Sequence, residues 1–339
     1  MLRFLRLALV LGLTGVLGAA GVYVYVEQQF DLAIAPDDTE PVIFTVAKGS
    51  TLRSIGERLQ VDGLIKDALY WQIHNRLNPG PGAKAGRHAL SRSMSLRAIR
   101  QAITENPLPE DEPLTIVEGW RLRDIDAELT RLGRIEAGTY LKAASDPSRF
   151  TLRFDLEGAT NLEGYVFPET YRVPPGPLDV DKMIQRQLDA FADRFYEPHA
   201  EEITKQKRSL RQIVIMASML EREEPKPATR PEVAGILWKR IDAGWALGVD
   251  ATSRYTLDDW SDRRKFLKKL RDESDPYNTR LRFGLPPGPI GAPSLPSLLA
   301  ALRPVASPYW YYLHDKDQNI RFAKDAAGHE ANRKKYDVY

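Results

Sequence analysis

An uncharged run of 20 residues, Leu7 to Val26, sits directly behind Arg3 and Arg6. As a helix such a run would be ~30 Å long, the thickness of the hydrocarbon core of a bilayer. It predicts a single uncleaved membrane anchor. A cleavable signal peptide has a shorter apolar region, ~7–15 residues, and this run lacks a well-placed A-x-A site. Tyr23 and Tyr25 fall where a membrane–water interface would lie, and the arginines should stay in the cytoplasm. Residues 1–6 are then a cytoplasmic tail, 7–26 the anchor, and everything after Val26 lies outside. No second apolar run of that length occurs, so the chain is expected to cross once.

The 339 residues are enough for two domains with real cores. A formal net charge of only +2 gives no basic footprint of the kind nucleic acid requires. Cysteine is absent, which rules out disulfides, thiolate chemistry and cysteine-ligated metals. His74, His88, His199, His314 and His329 have no ligand spacing, and no H-E-x-x-H occurs, so neither a metal nor a cofactor is expected.

After an acidic, proline-bearing linker at 27–41, the chain repeats itself at an offset of 70 residues. Thr45, Gly49, Leu52, Ile55, Leu59, Gly63 and Ile65 align with Thr115, Gly119, Leu122, Ile125, Leu129, Gly133 and Ile135. Each copy reads as a short strand, a glycine turn and a helix closed by a C′ glycine. The two copies are expected to form one βα region over 42–149, with a mixed α+β domain over 150–339. The first copy resembles the LysM module from Phe44 to about Leu59, which implies binding of N-acetylglucosamine-containing glycans. A pure packing role for both copies fits the residues equally well.

Farther on, Ser209 to Pro225 has the capping box Ser209/Gln212, an apolar run from Ile213 to Leu220 interrupted only by Ser218, and a proline stop. A helix so apolar all round is expected to be buried. Glu221 would emerge where this helix leaves the core, with Val214, Ala217 and Ser218 on its own face. Partial desolvation of a carboxyl there favours its protonated form, the state a general acid needs. A solvated helix end made of Glu221, Glu223 and Glu224 is the competing reading. The segment Leu162 to Tyr171 interleaves Glu163, Tyr165 and Glu169 with aromatics and could wall a sugar site or form a core strand. A helix is expected from about Val180 to Lys207 and another from Arg230 to about Ala243, with a charged insert at 259–275. Tyr277, Asn278 and Thr279 lead into the rigid loop Gly284–Ile290, where an Asx-type turn is the plainer reading. A strand over 308–313 pairs with 320–322, and His329 follows on a terminal helix.

Taken in order, Leu162-Glu-Gly-Tyr-Val-Phe-Pro-Glu-Thr-Tyr171, Ala217-Ser-Met-Leu-Glu221-Arg-Glu223, Tyr277-Asn-Thr279 and Gly284-Leu-Pro-Pro-Gly-Pro-Ile290 resemble the endolytic murein transglycosylases of the MltG (YceG-like) family. The resemblance covers nearly the whole chain. It implies an enzyme of the bacterial inner membrane whose extracytoplasmic domain cuts nascent peptidoglycan strands between N-acetylmuramic acid and N-acetylglucosamine, leaving 1,6-anhydro ends and terminating elongation. Peptidoglycan strands are the implied substrate and peptidoglycan synthases the implied partners. The first glutamate of the family's Glu-basic-Glu pattern falls on Glu221. Glu163, Tyr165, Glu169, Ser218, Glu223, Asp250, Thr252, Tyr277, Asn278 and Thr279 become candidates for substrate contact. The chain departs from the family at Gly248-Val-Asp250-Ala-Thr252, where Gln-x-Asp-Pro-Thr is usual, and at Ala292-Pro-Ser294, where Asn-Pro-Gly is usual. Residues around 248 and 292 are therefore not carried over as ligands. One glutamate can protonate the glycosidic oxygen and then deprotonate the sugar's C6 hydroxyl. A muramidase would instead need a second carboxylate, such as Asp250, facing Glu221. A non-catalytic glycan-binding anchor is the third possibility.

Overall fold

The computed structural model describes residues 2–105 and 107–338, without the side chains of residues 2–13 and 15. The chain divides into two compact units, residues 1–111 and 112–339. In the first, helix α1 (Leu2–Asp31) precedes β1 (Val42–Val46), α2 (Leu52–Val61), α3 (Ala68–Leu77), β2 (Gly86–Leu90) and α4 (Leu96–Ala102). Part of the apolar run expected to span a membrane, residues 7–13 and 15, lies outside the described side chains. Among the described residues no helix is long and apolar enough to cross a membrane. The end of α1 packs on its own unit, where Phe30 is fully buried and Arg97 donates to Asp31 at 2.8 Å. Strands β1 and β2 pair antiparallel, Val42 opposite Leu90. Phe44, Ile55, Leu59, Trp71 and Ile99 fill the core beneath them.

The second unit opens with β3 (Glu112–Thr115), α5 (Leu122–Arg131), α6 (Thr139–Ala144) and β4 (Thr170–Val173). The aligned glycines have matching backbone angles: Gly49 and Gly119 turn at φ +85° and +77°, and Gly63 and Gly133 both sit at φ +67°. These are left-handed conformations that glycine adopts without steric cost. The two copies nevertheless belong to different units. Strand β3 pairs antiparallel with β4, Glu112 opposite Val173, and Leu114, Ile116, Leu122, Ile125 and Leu129 join the second unit's core. The division therefore falls at 111/112, where the sequence placed it at 149/150, because the second copy buries its apolar face in the C-terminal unit.

The single helix expected over 180–207 runs from 180 to 205, as α7 (Val180–Phe191) and α8 (Glu197–Lys205) in unbroken succession. A π-helical turn, Ala192–Tyr196, joins them. Pro198 in the first turn of α8 accounts for the local widening to a π-turn, because it has no N–H to donate and its ring crowds the preceding turn. Then come α9 (Leu210–Glu223), α10 (Arg230–Asp242), α11 (Asp250–Tyr255), α12 (Arg263–Lys269) and α13 (Leu295–Leu302). The hairpin β5 (Tyr311–His314) and β6 (Ile320–Ala323) and helix α14 (Ala326–Tyr336) end the chain.

Helix α9 is the axis of this α+β unit. Its capping box is formed, with Ser209 N–H donating to Gln212 Oε1 at 3.1 Å. All residues from Ile213 to Leu220 are buried. Helices α10, α11 and α13 pack on it. Close backbone packing locks α10 in place: a Cβ at Gly235 would lie 1.9 Å from the Val305 carbonyl oxygen.

Candidate active site

Helix α9 leaves the core at Glu221, and successive residues on a helix point ~100° apart. Glu221, Arg222, Glu223 and Glu224 therefore face four different surroundings.

The Glu221 carboxyl meets a cation. Arg230 on α10 grips it through both guanidinium nitrogens, Nη2 to Oε1 at 3.1 Å and Nη1 to Oε2 at 3.2 Å. Ser294 donates its backbone N–H to Oε2 at 2.8 Å, and its hydroxyl donates to the same oxygen. The side chains of Glu221 and Arg230 are only 8 % and 6 % exposed. Arg230 is itself held by Ser297 Oγ at 2.8 Å and the Glu224 carbonyl at 2.8 Å. A carboxylate in the last turn of its own helix faces the negative end of that dipole. Arg230 and the N-terminus of α13, which Ser294 caps, offset this. The apolar, uncompensated setting expected from the sequence is thus replaced by a bidentate ion pair. Oε1 accepts one of these bonds and Oε2 three.

A second wall comes from the repeat. Gly119 N–H donates to the Ala292 carbonyl at 2.7 Å, and Ala292 N–H to the Trp120 carbonyl at 2.8 Å. The turn 119–120 and the loop 290–294 are thereby stitched together beside Glu221. A Cβ on Gly119 would come within 3.6 Å of Glu221 Cγ and 2.9 Å of Arg222 Cδ.

Glu223 opens onto a different cleft, of about 440 Å³, which it lines with Asp250, Arg280, Tyr311, Tyr312 and His314. Burial, reinforced by the negative charge of Asp250, pushes Glu223 up to about 7. The Tyr312 hydroxyl donates to it at 3.4 Å. Asp250 is paired with Arg280, Nε to Oδ1 at 2.8 Å. Behind this wall His314 Nε2 lies 3.0 Å from the fully buried Glu224 carboxylate, and that contact raises His314 above its ordinary range.

Several expected contact residues serve the core instead. Glu163 is buried, and its carboxylate accepts from the Leu122 N–H at 3.2 Å and from the Tyr255 hydroxyl at 3.1 Å. Burial pushes it up to about 8. Tyr165 is fully buried and stacks on Phe154 at 5.6 Å, so it forms no sugar wall. Ser218 donates to the Ile215 carbonyl at 2.7 Å and accepts from Ile290 N–H at 3.0 Å, pinning the proline loop to α9. Thr252 and Thr279 meet hydroxyl to hydroxyl at 3.0 Å in a buried joint. Asn278 is buried, donates to the Lys269 carbonyl at 2.9 Å and accepts from Arg280 N–H at 3.1 Å, as an Asx-type turn does. Tyr277 is half-buried and packs on Tyr255 at 4.7 Å. Glu169 pairs with Arg194 at 3.4 Å. Of the expected set, Glu223 and Asp250 line one cleft together, and Asp250 pairs with Arg280 rather than facing Glu221. Arg230, Ser294 and Ser297 were missed. The one sequence signal for them is the Ser294-Leu-Pro296 start of α13, which places a cap residue and its N–H at a helix entrance.

A model of the YceG-like family matches residues 44–335. The endolytic murein transglycosylase of Bacillus subtilis is 26 % identical over 315 residues, covering 89 % of this chain and 87 % of that protein. The protein of the same name from Streptococcus pneumoniae strain D39 is 24 % identical over 328 residues, 89 % of this chain but 59 % of its own length. The crystal structure of a yceG-like protein from Listeria monocytogenes superposes with a TM-score of 0.59 at 27 % identity, over 86 % of this chain and 99 % of that one.

Proposed function

The chain belongs to the YceG-like family, and on that footing we propose that Glu221 alone carries the acid and base steps of an internal cut in a murein strand. The enzyme is a lytic transglycosylase acting on peptidoglycan. In the reaction, the protonated Glu221 carboxyl gives its proton to the glycosidic oxygen as the bond from C1 of N-acetylmuramic acid breaks. N-acetylglucosamine leaves as an alcohol, and an oxocarbenium-like centre remains at C1. The Glu221 carboxylate then takes the proton of the C6 hydroxyl, whose oxygen bonds to C1 and closes the 1,6-anhydro ring. Carboxyl and proton are both restored, and no water is consumed. The nucleophile is already attached to the sugar, so it needs no capture from solution.

The observation carrying this reading is the setting of Glu221. Arg230 and Ser294 stabilise the carboxylate that exists between the two proton transfers, with donors already in place. Oε1, which has fewer partners, is the oxygen assigned to the proton. The cleft of Glu223, Asp250 and Tyr311 is assigned to neighbouring sugars of the strand, and the first unit to glycan binding near the membrane. Residues 7–26 are assigned to a single-pass anchor with the N-terminus in the cytoplasm. Alkaline carbonate washing then leaves the full chain with the membrane, while its release into the wash would remove the anchor. For the cut itself, long uncrosslinked strands should shorten to intermediate lengths before disaccharides accumulate. Release of disaccharides from the outset would contradict an internal cut.

A further inference from the structure

The guanidinium of Arg222 is placed but not used. Its Cζ lies over the Trp260 ring, 3.8 Å from the centroid, and its stem rests against Gly119. Among the described residues it has no hydrogen-bond acceptor and no carboxylate within ion-pairing distance. Other largely buried arginines of this unit differ. Arg121 donates to the Leu257 carbonyl at 2.7 Å, Arg230 to the Glu224 carbonyl at 2.8 Å, and Arg240 to the Trp310 carbonyl at 2.9 Å. Asp124 and Glu221 act on Arg222 only at longer range, and Arg121 opposes them. Asp124 is itself taken by Arg121, Nη2 to Oδ1 at 2.7 Å.

The position is prepared rather than accidental. Gly49 and Gly119 make the same left-handed turn in the two copies of the repeat. A Cβ at Gly49 would meet nothing within 4 Å, whereas one at Gly119 would lie 2.9 Å from Arg222 Cδ and 3.2 Å from Nη1. Only the second copy needs its glycine for space as well as for φ. A partly desolvated guanidinium held over an indole, with its donors unspent, is pre-organised for a planar, two-oxygen acceptor. The turn at Gly119 touches both side chains, its Cβ position lying 2.9 Å from Arg222 Cδ and 3.6 Å from Glu221 Cγ, so that acceptor belongs on the sugar being cut or on its substituent.

We infer that Arg222 is a specificity-determining residue that receives a carboxylate carried by the muramyl sugar at the cleaved bond. Either the lactyl group or the stem peptide attached to it can supply that carboxylate. The inference rests on the assignment of the chemistry to Glu221.

The test compares wild type, Arg222→Gln and Arg222→Lys on three substrates. These are strands stripped of peptide with free lactyl carboxylates, the same strands with those groups converted to primary amides, and intact peptide-bearing strands. For Arg222→Gln, KM on at least one carboxylate-bearing substrate should rise about tenfold, with kcat changed by less than about twofold and KM on amidated strands unchanged. Arg222→Lys, which keeps charge but loses the fork, should fall between. An effect confined to stripped strands assigns the lactyl group, and one confined to intact strands assigns the peptide. An equal rise on all three substrates, or none on any, overturns the inference. Titration of the same strands into Glu221→Gln and Glu221→Gln/Arg222→Gln reads the contrast in affinity without turnover. Failure of the Glu221 assignment, seen as cleavage by Glu221→Gln, is thus separate from failure of the Arg222 assignment.

Discussion

Glu221→Gln is expected to lower kcat on murein strands by about a thousandfold or more, within the range that positioned acid–base groups supply. The amide keeps the volume of the side chain but carries no transferable proton and cannot accept one from the C6 hydroxyl. It also turns an NH₂ toward one of the donors of Arg230 or Ser294, which now address a single oxygen. Breaking one side of a buried ion pair leaves a charge uncompensated, at about 3–5 kcal/mol where no other partner exists. Arg230 keeps Ser297 and the Glu224 carbonyl, so a smaller loss of stability is expected here. The two effects separate in Glu221→Gln/Arg230→Gln. That pair of neutral amides should recover part of the lost thermal stability and none of the activity. Recovery of turnover along with stability would mean that Glu221 only holds α9 and α10 together.

The second large effect is on stability against pH. Glu163 has its folded value raised to about 8 from an ordinary 4.5, burial being the main cause. A carboxyl so raised holds a proton in the folded state that the unfolded chain has released. The folded state is therefore favoured most below about 4.5. It loses ground as pH rises, until the full cost is reached above about 8. At ~1.4 kcal/mol per pH unit the cost is on the order of 5 kcal/mol, for a side chain shut off from solvent. For a unit of this size that is a fall of roughly 15 °C in Tm. Glu163→Gln mimics the protonated form, so its profile between pH 5 and 9 should be flatter, and at pH 9 it should unfold at the higher temperature. Calorimetry of both forms checks this. Parallel profiles would show that Glu163 does not hold its proton. Glu223, raised to about 7, contributes with the same sign in both proteins and drops out of the comparison.

What could be read in advance was local. The capping box at Ser209, the all-round apolarity of α9 and the duplicated glycine turns depend on neighbours a few residues away, and the folded chain carries each of them. Pairings across the chain could not be read in the same way. Glu221 meets Arg230 nine residues on and Ser294 seventy-three residues on. Nothing in either neighbourhood signals the other. The segment around Glu163 and Tyr165 has the composition of a sugar wall or a core strand, yet it folds as a buried turn ahead of β4, and only the packing of α5, whose Leu122 N–H reaches Glu163, shows this. Likewise the two repeat copies look alike, but Thr115 finds Thr170 fifty-five residues later, which carries the second copy into the other unit.

In the proposed mechanism, bond breaking and ring closure pass through one carboxyl and no water. Digestion of uncrosslinked strands in ¹⁸O-labelled water, followed by mass spectrometry of the new ends, tests it most directly. Ends one water lighter than reducing ends and free of label are expected. Ends at full hydrolytic mass bearing one ¹⁸O would contradict it.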